Sequence, residues 1–174
     1  RCSPDFSFIS ELDAVTVAIQ TPFRNPADLV PDFTPLFEGL ASVGRHLARG
    51  TLLVIESTVP PGTTGGMARR ILEEESGLVA GRDFALAHAP ERVMPGKLLK
   101  NLVELDRVVG GCGKASTKRM LSLYRHIVKG HLYGVDCLTA EVVKTVENAY
   151  RDAQIAFANE VAMICETLGV DVYK

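Results

Sequence analysis

Three short stretches of this sequence combine residue types that can move protons or hold charge. Lys144 and Asn148 stand four residues apart, so on a helix they share a face, with Arg151 about one turn on. An ammonium beside an amide can hold an oxyanion or orient a water molecule. A solvated helix face carries the same residue types, and spacing alone leaves both readings open. Pro90-Glu91-Arg92-Val93-Met94-Pro95-Gly96 sets a carboxylate beside a guanidinium. Glu91 suits a general base acting through water, and Arg92 suits a clamp on a phosphate or carboxylate. An exposed ion pair on a loop is the plain alternative. Ser57-Thr58-Val59-Pro60-Pro61-Gly62-Thr63 has the form of a strand-to-helix loop of the kind that contacts nucleotides. Gly62, Gly65 and Gly66 let backbone approach a ligand, and the helix N-terminus behind them offers N–H groups to an anion. An ordinary Pro/Gly turn would look the same.

Such residues need elements to place them. Val15 to Ile19 reads as a buried strand ending at Thr21-Pro22. Phe33, Leu36, Phe37, Leu40, Val43 and Leu47 recur at helical spacing, and Gly50 closes that helix. Thr51–Glu56 is a second buried strand, followed by a helix carrying Met67, Ile71 and Leu72 that stops near Gly77. Further strands are expected over 84–88, 107–110 and 131–135, with a helix carrying Met120, Leu121, Tyr124, Ile127 and Val128 before the last of them. Strands alternating with helices indicate an α/β fold, a partial Rossmann-type layer with a mainly parallel sheet and flanking helices.

From Thr139 to about Leu168 nothing breaks a helix, and Gly169 supplies the stop. Roughly 30 residues give about 45 Å at the usual rise, longer than a helix covering a sheet needs to be. Val142, Val143, Val146, Ala149, Tyr150, Ala153, Phe157, Val161 and Ile164 form one broad apolar face. Glu141, Lys144, Asn148, Asp152 and Asn159 fall on the opposite stripe. A domain boundary is expected near Asp136, with residues 1–135 in one domain and 136–174 opening the next.

Composition removes several function classes. The 174 residues are 47% hydrophobic and 23% charged, an ordinary globular balance. Lys+Arg 19 against Asp+Glu 21 gives a net charge of −2, without the basic excess of a nucleic-acid binder. The longest apolar runs, such as Leu52-Leu53-Val54-Ile55, are too short to span a membrane. Cys2, Cys112, Cys137 and Cys165 form no C-x-x-C pair and no metal-ligand spacing with His, so reduced thiols in a cytoplasmic protein are expected. Arg1-Cys2-Ser3 lacks an initiator Met, as if a segment preceded it.

In order along the chain stand Thr21-Pro22, Glu56-Ser57-Thr58-Val59-Pro60-Pro61-Gly62-Thr63-Thr64, the Pro90–Gly96 loop and Asp106-Arg107-Val108-Val109-Gly110-Gly111. Thr139-Ala140-Glu141 follows, leading through Lys144 and Asn148 to Ala158-Asn159-Glu160. Together these segments resemble the UDP-glucose/GDP-mannose dehydrogenase superfamily over nearly the whole chain. The Pro-Glu-Arg-Val-x-Pro-Gly form is similar to the N-acetylmannosamine and N-acetylglucosamine branch.

The resemblance implies oxidation of a sugar C6 alcohol to a carboxylate, using two NAD in succession, with a UDP-sugar as substrate. By position it makes Lys144 the catalytic lysine and Asn148 its partner in holding oxyanion and water. Glu91 would serve acid/base work or thioester hydrolysis, and Thr58 would place water near the nicotinamide. Arg92, Val93 and Arg151 match contacts to the nucleotide sugar, and Thr21 and Ser57 line the NAD site. The long helix resembles the family's central helix, which builds a homodimer.

Two departures stand out. The superfamily's Gly-x-Gly-x-x-Gly turn occurs nowhere in this sequence, and none of the four cysteines has the Gly-x-His-Cys-x-Pro surroundings of the family's nucleophile. The chain by itself is therefore expected to be inactive, to bind NAD poorly and to expose edge strands that invite aggregation or domain swapping. A β-hydroxyacid dehydrogenase of the 6-phosphogluconate type, or a non-catalytic dimerisation module, is the alternative.

Overall fold

A computed structural model of the chain describes residues 2–25, 27, 30–91 and 96–174. Five strands form one sheet in the order β1 (Ala14–Val17), β2 (Leu52–Ile55), β3 (Ala85–His88), β4 (Arg107–Gly111) and β5 (Leu132–Asp136). All neighbours run parallel except β3 and β4, which pair antiparallel with His88 opposite Gly110.

The helices are α1 (Thr34–Gly44), α2 (Arg69–Ser76), α3 (Leu98–Glu104), α4 (Lys114–Tyr124) and α5 (Cys137–Leu168). They cover the sheet on both sides because strand side chains alternate faces. Val17, Leu53, Ile55 and Leu86 face one way and pack with Leu36, Leu40 and Val43 of α1 and Leu72 of α2. Leu52, Val54, Ala85, Ala87 and Val109 face the other way, against Met120 and Tyr124 of α4 and Val128. Full burial of each leucine, isoleucine, valine or methionine side chain here contributes roughly 1.5–3 kcal/mol.

The expected α/β layer, its mainly parallel sheet and the long terminal helix are all present. Two elements have no counterpart in the pattern: a 3-10 turn over Ser7–Glu11, and α3. Both are short and amphipathic only over one or two turns, too few repeats for a periodicity to register. The first helix ends at Gly44 rather than at Gly50, which instead takes φ +88° in the turn before β2. The helix after Gly62 opens with a π turn, Thr64–Ala68, before α2 begins.

Helix α5 has 32 residues, about 48 Å at 1.5 Å per residue. Asp136 caps it, accepting from the Thr139 amide at 2.8 Å, and Gly169 ends it at φ +71°. Only its first turns touch the sheet, where Cys137, Ala140 and Glu141 are buried. Gly110 makes that approach possible: a Cβ there would stand 2.8 Å from the Ala140 Cβ. Beyond residue 147 the helix is almost wholly exposed, including Tyr150, Phe157, Met163 and Leu168.

Candidate functional site

Ligands of open α/β sheets gather beyond the carboxyl ends of the strands, and the described residues of the candidate loops lie there. Ser57 and Thr58 follow β2, Glu91 follows β3, and Thr21 follows β1. Backbone and hydroxyl bonds knit the first two loops together. The Ile19 amide donates to Ser57 Oγ at 2.9 Å, and that hydroxyl donates to the Ile19 carbonyl at 2.6 Å. Thr21 Oγ1 donates to the Thr58 carbonyl at 3.0 Å. Ser57 is buried, and Thr21 and Thr58 are half-buried.

The long helix joins this edge through Lys144. Its Nζ donates to the Glu91 carbonyl at 2.6 Å, so the amine two turns into α5 meets the loop after β3. Asn148, one turn further, and Arg151 are exposed. Arg92 and Val93 lie outside the described residues.

Beneath the loops, charge is buried and paired. Arg107, 6% exposed, donates through one terminal nitrogen to Glu56 Oε1 at 3.0 Å and to the Ala89 carbonyl at 3.4 Å. The Tyr124 hydroxyl donates a short hydrogen bond to the same Glu56 oxygen, and the Arg107 guanidinium stacks 4.8 Å from the Tyr124 ring centroid. Burial, with the Glu56 carboxylate beside it, pushes the Tyr124 phenol well above its usual range. Glu56 immediately precedes Ser57, and Ala89 immediately precedes Pro90-Glu91, so one guanidinium fixes the roots of two candidate loops. Pattern reading passed over this trio. Its signal was an arginine opening a buried strand, a charge that must find a carboxylate to be tolerated there.

Glu141 corrects the sequence reading twice. Expected on the polar stripe, it is fully buried. Its Oε2 accepts from the Gly62 amide at 2.5 Å and its Oε1 from the Thr64 amide at 2.7 Å. The helix N-terminus after Gly62 has no side-chain cap of its own, and its N–H groups and positive dipole end demand an anion. The chain supplies that anion from α5. Those two amides therefore serve an internal carboxylate, not a ligand phosphate. Because α5 enters over Gly110, position 141 turns inward with Lys144 half-buried one turn on, whereas Asn148, Asp152 and Asn159 of the same stripe are exposed.

His88 ends β3 fully buried, and neither ring nitrogen closes a well-formed hydrogen bond to a described residue. Burial pushes its pKa down to about 4, with the Ile55 backbone opposing weakly, so the imidazole is neutral near pH 7. No cluster of three or more metal-ligating side chains occurs among the described residues. No helix among them is long and apolar enough to cross a membrane.

Residues 2–128 match the UDP-glucose/GDP-mannose dehydrogenase family, NAD binding domain, and residues 138–174 match that family's central domain. A UDP-N-acetyl-D-mannosamine dehydrogenase of Pyrococcus horikoshii is 44% identical over 91% of this chain and 37% of its own length. A solved UDP-D-ManNAc dehydrogenase structure from that organism superposes with TM-score 0.92 at 40% identity, over 98% of this chain and 40% of that one. The structure of NDP-N-acetyl-D-galactosaminuronic acid dehydrogenase from Methanosarcina mazei Go1 is 60% identical with TM-score 0.87, over 99% of this chain and 36% of that one. The chain thus spans well under half the length of these relatives. NAD is the cofactor of the matched domain, and the described residues fit one flank of a dinucleotide: hydroxyl-bearing loops stand at the carboxyl ends of parallel strands, without a glycine-rich pyrophosphate turn. On its sequence and its structure alike, this chain belongs to the UDP-glucose/GDP-mannose dehydrogenase family.

Proposed function

We propose that this chain is part of an NAD-dependent nucleotide-sugar 6-dehydrogenase that oxidises the C6 alcohol of a UDP-N-acetylhexosamine to a carboxylate in two NAD-linked steps. The observation that carries the reading is the 2.6 Å bond from Lys144 Nζ to the Glu91 carbonyl, which draws the long helix onto the loop edge holding Thr58 and Thr21. NAD, when bound, accepts hydride. Every other task falls to side chains. Lys144 places positive charge where an alkoxide or oxyanion develops on the sugar, a site where fixed charge is most effective. Asn148 adds an amide donor one turn on. Glu91 takes or returns the proton of the attacking water, and Thr58 orients that water. Arg92, Val93 and Arg151 hold the nucleotide sugar, and Thr21, Ser57 and Thr58 line the cofactor.

Residues 1–135 form the later part of the NAD-binding domain in this reading, and α5 opens a central dimerisation domain. The exposed apolar face of α5, with Tyr150 at 65% and Phe157 at 72% exposure, suits a second copy of the same helix in a homodimer. Free cysteines suit a cytoplasmic setting. This chain alone is inactive, since no cysteine here has the setting of a nucleophile for the second oxidation. The relatives differ in sugar, so the test offers the full-length protein UDP-N-acetylmannosamine, UDP-N-acetylgalactosamine and UDP-glucose and counts NADH formed. Two NADH for each UDP-N-acetylhexosamine consumed is the expected stoichiometry. A single NADH per sugar, or turnover of small hydroxyacids instead, refutes the proposal.

A further inference from the structure

We propose that Cys112 and Cys137 are a disulfide-forming thiol pair, a reversible modification site that ties the end of β4 to the first turn of α5. Backbone geometry brings them together. β4 and β5 pair in parallel with Gly111 opposite Asp136, and Cys112 and Cys137 are the next residue on each side. That pairing holds the two strand ends side by side where Cys112 leaves β4 and Cys137 opens α5. Neighbouring strands lie roughly 4.8 Å apart, inside the range of about 4.4–6.8 Å between Cα atoms that a disulfide spans. The two Sγ atoms stand 2.7 Å apart, and both cysteines are free thiols. The backbone at both residues is anchored. The Cys112 amide donates to the Leu86 carbonyl at 2.8 Å, and Cys137 follows the capping Asp136.

The two thiols divide the work by exposure. Cys112 is partly exposed, whereas Cys137 is 5% exposed and also donates to the Gly110 carbonyl at 3.3 Å. The close contact with Cys137 lowers the pKa of the Cys112 thiol, and the same contact together with burial raises that of Cys137. Cys112 is therefore the entering nucleophile and Cys137 the resolving thiol. The oxidant is a low-molecular-weight disulfide, R–S–S–R. Cys112 loses its proton to solvent, its sulfur attacks one sulfur of the oxidant, and one R–S⁻ leaves. Cys137 then attacks Cys112 Sγ, passing its proton to the departing second R–S⁻. The protein loses two protons and two electrons, and R–S–S–R becomes two R–SH.

Cys137, Glu141 and Lys144 stand at i, i+4 and i+7, on one face of α5. A cross-link at the foot of that face fixes the helix against the sheet just below the carboxylate that holds Gly62 and Thr64 and the amine that meets Glu91. Any effect on turnover rests on the role proposed for Lys144; the cross-link itself does not.

The test equilibrates the full-length protein with reduced and oxidised glutathione at graded ratios, traps thiols with N-ethylmaleimide and maps peptides by mass spectrometry. The expected result is a linked peptide pair containing Cys112 and Cys137, two hydrogens lighter, with the loss of both maleimide adducts. In Cys137→Ser, Cys112 stops at a glutathione adduct, and in Cys112→Ser, Cys137 stays unmodified by glutathione. Both thiols remaining alkylated at every ratio, or wild-type Cys112 accumulating only as a glutathione adduct, overturns the pair without relying on either variant's folding. For turnover, the oxidised wild type loses more activity than oxidised Cys112→Ser, and dithiothreitol restores the difference. A cross-link with no such extra loss overturns the coupling to Lys144 and leaves the pair standing.

Discussion

Replacing Glu141 with Gln should loosen one short loop by an amount that can be worked out in advance. The carboxylate accepts from two amides, Gly62 at 2.5 Å and Thr64 at 2.7 Å, from a fully buried position. Hydrogen bonds to a charged group contribute roughly 1.5–3 kcal/mol each. Gln keeps the shape and one neutral acceptor but turns an N–H toward the second amide. About 3 kcal/mol of local stability should go, which at 1.4 kcal/mol per decade is roughly a 150-fold larger population of the open loop. Amide hydrogen exchange in the full-length protein reads this directly: Gly62 and Thr64 lose protection, while β3 amides such as that of Ala87 keep theirs. Unchanged protection at Gly62 and Thr64 in Glu141→Gln would refute the idea that α5 caps this loop. Glu141→Ala, which removes both acceptors, should be worse than Gln.

Arg107→Met leaves Glu56 partly buried without its guanidinium, a cost of about 3 kcal/mol that should appear as a melting temperature several degrees lower, whereas Tyr124→Phe, losing one hydrogen bond, costs about 1 kcal/mol. His88 carries an acid liability: its folded pKa, about 4, lies below the unfolded 6.5, so the unfolded chain takes up the proton first. Its stabilising effect is complete above pH 6.5 and fades as pH falls toward 4, about 3 kcal/mol in all. Urea melts between pH 7 and 4 should show a shallower pH dependence for His88→Leu, and an identical slope would count against this. Gly110→Ala puts a methyl group against Ala140 and the Asp136 carbonyl, so α5 must shift, and tryptic cleavage at Lys144 in its second turn should quicken.

The fold was legible where side-chain periodicity was long or burial continuous. Leu52-Leu53-Val54-Ile55 could only be a strand covered on both faces, and it is. The uninterrupted run to Gly169 could only be a long helix. The site was legible in part. Glu91, Lys144 and the Ser57-Thr58 loop stand out by residue type and spacing and Thr21 only by the family resemblance, and their places on loops after β1, β2 and β3 and on the second turn of α5 follow from the strand and helix pattern. Glu141, Arg107 and the Cys112–Cys137 pair could not. Each depends on which residue of one element faces which residue of another, and that is set by the register of β4 with β5 and by the entry of α5 over Gly110. A local pattern of hydrophobicity holds no such information. Glu141 shows the failure most clearly: helical phase put it with Lys144 and Asn148 on the stripe opposite the apolar face, and the packing of the first turns of α5 buried it.

Everything proposed for catalysis turns on Lys144 meeting the reacting oxygen from its place against Glu91. Steady-state kinetics of Lys144→Ala in the full-length protein, with saturating NAD and varied UDP-N-acetylhexosamine, test that most directly. The expected result is a kcat lower by roughly 10²–10³-fold, with the melting temperature close to wild type because Lys144 is only half-buried. A kcat close to wild type in a well-folded Lys144→Ala protein would contradict it.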